Sequence, residues 1–449
     1  MTAPQTLNRW SRRSSLPALG PVEPPRGGSR VAPPLLLVPA FASTLAKSAG
    51  INNLLGVDLT ILGVLCALLG ALLALPGREL LPRSVPLLLW LVCMLPAFAR
   101  TGTTEYAQSK TSLLLLISLP LALSAGVIAQ RDDRLEILLR VVVIIGLATV
   151  AVGLLRPETS ADLGRLSIGS NTLGPPYLIG AAVVAVVTMT AQGKWRLVWA
   201  LPSLVLLVPA MLLYGSRGPI VGLVVSLAAG LFLNRLVWGK TPRGMAAVAL
   251  ALAVLAFGAY LLARATPLYA GALNRIGQST FEDAVRSQIL AQAWEVFLAH
   301  PVVGVGMGNF TDFYFGYDNI RYPHNLFADV LVDAGLVGLL AFACLLSVTL
   351  YRSLRFDRRS SYSMVSVTML LYWLLGLGQF SADLADKWWL IWVAVVLLRA
   401  PTRALTSPSG SPPVGPGRNA TSSSRSRVRY PMRPLVGQSE PGTKTASND

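Results

Sequence analysis

The sequence predicts an all-α polytopic membrane protein with about twelve transmembrane helices and one large outer-face loop that contains an amphipathic helix. Three observations predict it. Apolar residues make up 53% of the 449-residue chain and charged residues only 13%. The apolar residues fall in blocks of about 20, the length that crosses the ~30 Å hydrocarbon core as a helix. The blocks also lack alternation: "GVLCALLGALLAL" has no two-residue period. Lipid offers backbone groups no partner, so a span must be a helix or a strand of a closed barrel, and a barrel strand would alternate.

Taken in order, residues 1–32 are rich in Pro, Gly, Ser and Arg and show no apolar period, which predicts a disordered basic cytosolic tail. The expected spans are 33–49, 54–75, 84–99, 111–130, 135–155, 174–191, 195–213, 218–238 and 244–264 within 33–264. Three more, 334–351, 362–380 and 387–400, lie within 334–400. Residues 401–449 form a second basic tail. It reads as a solvated segment that skims anionic lipid or as one that binds a partner or is phosphorylated.

Orientation follows from the basic residues. With the N-terminus cytosolic, the inner loops hold Arg78, Arg83, Arg131, Arg134, Lys194, Arg196, Arg235, Lys240, Arg243, Arg352, Arg355, Arg358 and Arg359. The short outer loops hold fewer: Lys47, Arg100, Lys110, Arg156, Arg165, Arg217 and Lys387. The bias puts both termini inside and the long loop, 265–333, outside. The same distribution removes nucleic acid as an explanation of the +17 net charge, because the cations sit in tails and between spans. Cys66, Cys93 and Cys344 lie inside apolar runs with neither disulfide nor metal-ligand spacing.

Within the loop, "STFEDAVRSQILAQAWEVFLAHP" opens on Ser279 and Glu282 at capping-box spacing. Val285, Ile289, Ala293 and Val296 or Phe297 recur on one helical face, and Pro301 stops the helix. The "GVGMG" that follows lacks the preceding strand and βαβ unit of a dinucleotide site, so it predicts a tight turn in which backbone approaches backbone.

"RYPHN" is the next candidate. Pro323 suits the first turn of a helix, which would put His324 and Asn325 at its positive, anion-favouring end. Asn325, Asp329 and Asp333 follow at intervals of four as one polar stripe, and Gly335 breaks the helix. Spacing alone fits an anion site or a histidine satisfied locally at the interface. Arg217, in "LYGSRGPIVGL", fits either a guanidinium snorkelling to headgroups or one presented to phosphate by a shaped turn. Arg165 and Asn171 in "GRLSIGSNTLGPPY", and Arg275 and Arg286 around the loop helix, extend the set of outer cations. Apart from Arg140, charges are scarce in the spans, which argues against an ion relay. A transporter or flippase would show internal repeats and midplane charges, and no convincing repeat is seen.

The block "RSQILAQAW…HPVVGVGMGNF…YPHNLFADVLVDAGLVGLLAF", with "GSRG" and "GRLS…N" upstream, resembles the O-antigen ligases and the O-antigen or exopolysaccharide polymerases. The detailed resemblance covers about 165–346, with Asp333 where that family often has Glu. It implies a GT-C-like membrane glycosyltransferase of the cell envelope that needs no metal or other cofactor and inverts the anomeric centre. The donor would be a polyprenyl-diphosphate-linked glycan, and the acceptor hydroxyl would belong to a glycan or a lipid. Arg217, Arg286, Arg165, Arg275 and Asn325 would bind substrate, with the arginines on the diphosphate. His324 would act on the acceptor hydroxyl, and Asp329 and Asp333 would support the site.

Overall fold

The computed structural model describes residues 31–48, 58–74, 80–155, 158–160, 165–167, 174–233, 281–313, 322–356, 362–380 and 383–399, with a few isolated positions between 253 and 261. It is a helical bundle. In chain order the helices are α1 (Ala32–Leu35), α2 (Val38–Ser48), α3 (Leu59–Ala74), α4 (Leu80–Ala99), α5 (Glu105–Ile128), α6 (Asp132–Leu155), α7 (Gly174–Ala191), α8 (Leu197–Leu213) and α9 (Arg217–Leu233). Next come α10 (Phe281–Ala299), α11 (Phe310–Phe313), α12 (Leu326–Phe356), α13 (363–380) and α14 (Lys387–Leu398). The departure from helix among the described residues is a small antiparallel ladder, β1 (Glu158–Ser160) and β2 (Arg165–Ser167).

Five helices, α4 to α7 and α12, are long and apolar enough to cross a membrane, and six shorter apolar helices accompany them. The chain is a multi-pass membrane protein. Eleven of the expected spans coincide with a described apolar helix; the span 244–264, like the tails and Ser279, lies outside the described residues. The stretch 84–99 is longer than expected. Its helix starts at Leu80 and runs through Pro86 and Pro96, which membrane helices tolerate because neighbouring groups satisfy the freed carbonyls.

Local chemistry fixes the ends that matter for the site. Thr104 caps α5 by accepting from the Ala107 N–H at 3.2 Å. Asp386 caps α14 by accepting from the Trp388 N–H at 2.9 Å. Two helices widen into π turns, Leu113–Ser118 in α5 and Trp373–Leu377 in α13. Helix α9 packs against the second of these so closely that a Cβ on Gly222 would lie 2.4 Å from the Gly376 Cα. Small residues at such crossings let backbones approach where lipid provides no hydrophobic drive.

Helix α10 lies where the sequence predicts the loop helix, and Leu290, Trp294 and Leu298 stay exposed on it. Ile289, Ala293, Val296 and Phe297 are buried on one face. Ile289, Ala293 and Val296 form a small core with Phe310 and Val332, and Val285 packs against it. That core seats α10 on the first turns of α12.

Candidate functional site

Asn325, rather than Pro323, starts α12. Its Oδ1 accepts from the Phe327 and Ala328 N–H groups at 2.9 and 3.1 Å, and its Nδ2 donates to Gln379 Oε1 at 3.0 Å. Asparagine is among the strongest caps because its side chain replaces the missing intrahelical acceptor. This corrects the expectation that Pro323 occupies the first turn. His324 lies before the helix in a left-handed conformation, with φ of 54°. A non-glycine residue there is strained and points to a constraint imposed by its surroundings.

The His324 ring sits 4.3 Å from that of Tyr322. Burial, helped by the Arg286 charge and opposed by Asp329, holds its imidazole below the usual histidine range. It is therefore neutral at pH 7 and free to accept a proton. Arg286 is half-buried on α10, close enough for its charge to reach both His324 and Tyr177.

The turn after α10 is built into α12. Gly335 leaves helical geometry, with φ of 62° and ψ of −156°, as the sequence predicted. The break frees backbone groups on both sides. Val305 and Gly306 donate to the Val332 and Asp333 carbonyls at 2.9 and 3.0 Å, and Leu336 and Val337 donate to the Pro301 and Val302 carbonyls at 2.8 and 3.1 Å. Gly304, Gly306 and Gly308 all have positive φ, and a Cβ on Gly304 would sit 2.4 Å from the Val332 oxygen. The "GVGMG" turn is thus the close backbone approach expected of it. Asn309, next along, donates to the Arg100 and Val305 carbonyls at 2.8 and 2.9 Å and accepts from Gly102 N–H at 2.7 Å.

Asp329 and Asp333 form a buried cluster with Lys110. Its Nζ lies 2.7 Å from Asp329 Oδ1 and 2.7 Å from Asp333 Oδ2. The other oxygens accept from Leu384 N–H at 2.7 Å and Gly308 N–H at 3.1 Å. The two carboxylates brace α12 against α5 and the glycine turn. Lys110, counted as an outer-loop cation in the sequence, is instead buried within α5.

Arg217 is half-buried at the start of α9, after a turn at Gly215 with φ of 58°. One turn on, that helix meets the π turn of α13. Arg165 pairs with Ser160 in the β ladder; its side chain, Asn171 and Arg275 lie outside the described residues. So the structure brings Arg286 and His324 together, places Arg217 on a helix packed behind the α13 π turn, and directs Asp329 and Asp333 to Lys110.

Residues 202–343 match the family model described as O-antigen ligase. The match to that model is confined to this segment. It contains Arg217, Arg286, the glycine turn and His324. An O-antigen ligase of Pseudomonas aeruginosa is 29% identical over 273 residues, which cover 56% of this chain and 61% of that protein. The chain thus spans less than two thirds of its relative's length. Within the matched segment, α10 and the start of α12 supply the titratable groups, and the glycine turn holds the two elements together.

Proposed function

We propose that the protein transfers a glycan from a polyprenyl-diphosphate carrier to an acceptor hydroxyl on the outer face of the cytoplasmic membrane, as a ligase or as a surface-polysaccharide polymerase. The observation that carries this reading is His324, held in a left-handed conformation at the head of α12, with the Arg286 charge acting on its ring. In the reaction the acceptor oxygen attacks the anomeric carbon as the anomeric C–O bond to the diphosphate breaks. The hydroxyl proton passes to the imidazole. Negative charge grows on the departing diphosphate, where fixed guanidinium groups in a site shielded from water stabilise the transition state. One displacement of this kind inverts the anomeric centre. Arg217 and Arg286 are assigned to the diphosphate, with Arg165 and Arg275 as further contributors, because a planar fork suits phosphate oxygens.

The test is reconstitution in nanodiscs with lipid-linked glycan and acceptor. Equal amounts of new glycoside and released polyprenyl diphosphate are expected. Movement of intact donor across the bilayer without such release would replace the transferase reading with a flippase. Arg217→Ala and Arg286→Ala should each weaken donor binding, and lysine should restore it only in part, since it lacks the bidentate fork.

A further inference from the structure

Helices α2, α3, α5, α7, α13 and α14, with Tyr322 ahead of α12, line a cavity of about 440 Å³, a size typical of small-molecule pockets. It is built from two kinds of wall. Tyr177, Tyr322, Trp373 and Trp388 contribute aromatic rings, with Trp373 stacked on Trp388 at 4.8 Å and only 7° between the planes. Ser43, Thr44, Thr60, Ser118 and Asp386 contribute polar groups, and Lys47 and Lys387 contribute cations. Both π turns of the protein's described helices open onto this space, one through Ser118 and the other through Trp373. A π turn sacrifices regular helix geometry and recurs at functional sites. Tyr322 joins the cavity to the candidate site, since its ring also lies against His324.

We infer that this cavity seats one sugar ring of the reacting glycans, an assignment that rests on the transferase reading above. A pyranose has C–H faces that carry slight positive charge and match the negative faces of aromatic rings. Its hydroxyl rim needs both donors and acceptors. Asp386 suits that rim: burial pushes its carboxyl up to about 7, so near neutrality it accepts or donates. For a diphosphate the aromatic faces and the Asp386 carboxylate act against Lys47 and Lys387, so the bare-lipid measurement below separates the two occupants. Lys387, beside Asp386, already donates to the Ala40 carbonyl and to Ser43 Oγ. An acyl chain would set apolar groups against Lys47, Asp386 and Lys387, and charged groups that lose water to an apolar neighbour carry a free-energy cost. The ring is either the donor's first sugar or the acceptor's reacting sugar.

The experiment uses the full chain in nanodiscs and the variants Asp386→Asn and Trp388→Leu. Asparagine still caps α14, so Asp386→Asn carries the test if thermal unfolding shows that Trp388→Leu does not fold. Two probes are titrated: undecaprenyl diphosphate without sugar, and the same lipid carrying one N-acetylhexosamine. Acceptor KM is measured in parallel. The bare lipid should bind the variants as it binds wild type. A roughly tenfold loss, the scale of one hydrogen bond to a charged group, should appear for the sugar-bearing lipid if the ring is the donor's, or in acceptor KM if it is the acceptor's. Equal weakening of the bare lipid would make the cavity a diphosphate or lipid seat and overturn the inference. So would wild-type behaviour in all three measurements. Failure of wild type to bind the bare lipid would instead sink the transferase reading, and this inference with it.

Discussion

Lys110 Nζ and Asp333 Oδ2 meet at 2.7 Å with both side chains buried, although 223 residues separate them. Asp329 approaches the same ammonium at 2.7 Å. One cation therefore serves two carboxylates, and backbone N–H groups of Leu384 and Gly308 satisfy the remaining oxygens. Removing one partner of such a cluster is far more damaging than replacing all of it, because it strands charge in a dry interior. Lys110→Met should lower stability by roughly 3–5 kcal/mol, seen as a fall in the melting midpoint in detergent. Adding Asp329→Asn and Asp333→Asn to it should recover much of the loss. Identical melting of the single and triple variants would show that the three residues are not coupled.

The glycine turn gives a second prediction. Gly335→Ala would combine a left-handed backbone with a Cβ 2.5 Å from the Val302 carbonyl. The clash is with backbone, so nothing can yield cheaply, and transfer and folded yield should both collapse. Gly193→Ala is the control. It has φ of 69° but open space around the added methyl, so it should cost only the conformational penalty of about 1–2 kcal/mol. Equal tolerance of both substitutions in a melting assay would contradict the splice between the turn and α12.

His324 can be tested for its ring apart from its backbone. His324→Asn keeps a residue that tolerates left-handed φ, while His324→Ala does not. If the imidazole takes the acceptor proton, both should lower turnover by roughly 10²–10⁴ with donor binding preserved. A purely conformational role predicts that asparagine restores activity. His300, at the end of α10 and edge-on to Phe313, should accept Gln with little loss of transfer.

The pH dependence of His324 can be read without turnover, because the chain has only two histidines. Carbon-13-labelled histidine should show the His324 imidazole titrating below the usual histidine range, and His324→Asn should remove that signal. Burial and the Arg286 charge disfavour the protonated ring, so Arg286→Gln should move the midpoint upward. Asp329 acts in the opposite sense, and Asp329→Asn should move it further down. The acidic limb of kcat/KM in wild type should follow the same midpoint, with activity lost as pH falls through it. An acidic limb above 6.5 would argue against His324 as the base.

Much of this was legible from local signals. The apolar blocks marked the helices, the recurrence of Val285, Ile289, Ala293 and Phe297 marked the buried side of α10, and Gly335 marked the break in α12. The cap was misplaced because Pro323 and Asn325 are both helix-start residues, and the asparagine amide, which satisfies two N–H groups, prevails. Lys110 was illegible for a different reason. Its spacing from other charges in sequence says nothing about partners more than two hundred residues away, and a lysine at the edge of an apolar block looks like a loop cation. The π turn in α5 lies in "LLLLIS", where a leucine run carries no mark of the extra residue per turn.

The four backbone bonds that cross the Gly335 break have a mechanical consequence. A kinked helix with unpaired groups is a joint, whereas this one is splinted by the Pro301–Gly306 strand on both sides of the bend. Arg286 rides on the helix that leads into the splint, and His324 stands at the head of the helix being splinted. The helices that carry the two side chains are therefore tied to each other by main-chain hydrogen bonds. On the transferase reading, that frame keeps the two helices in place while a bulky donor and acceptor come and go.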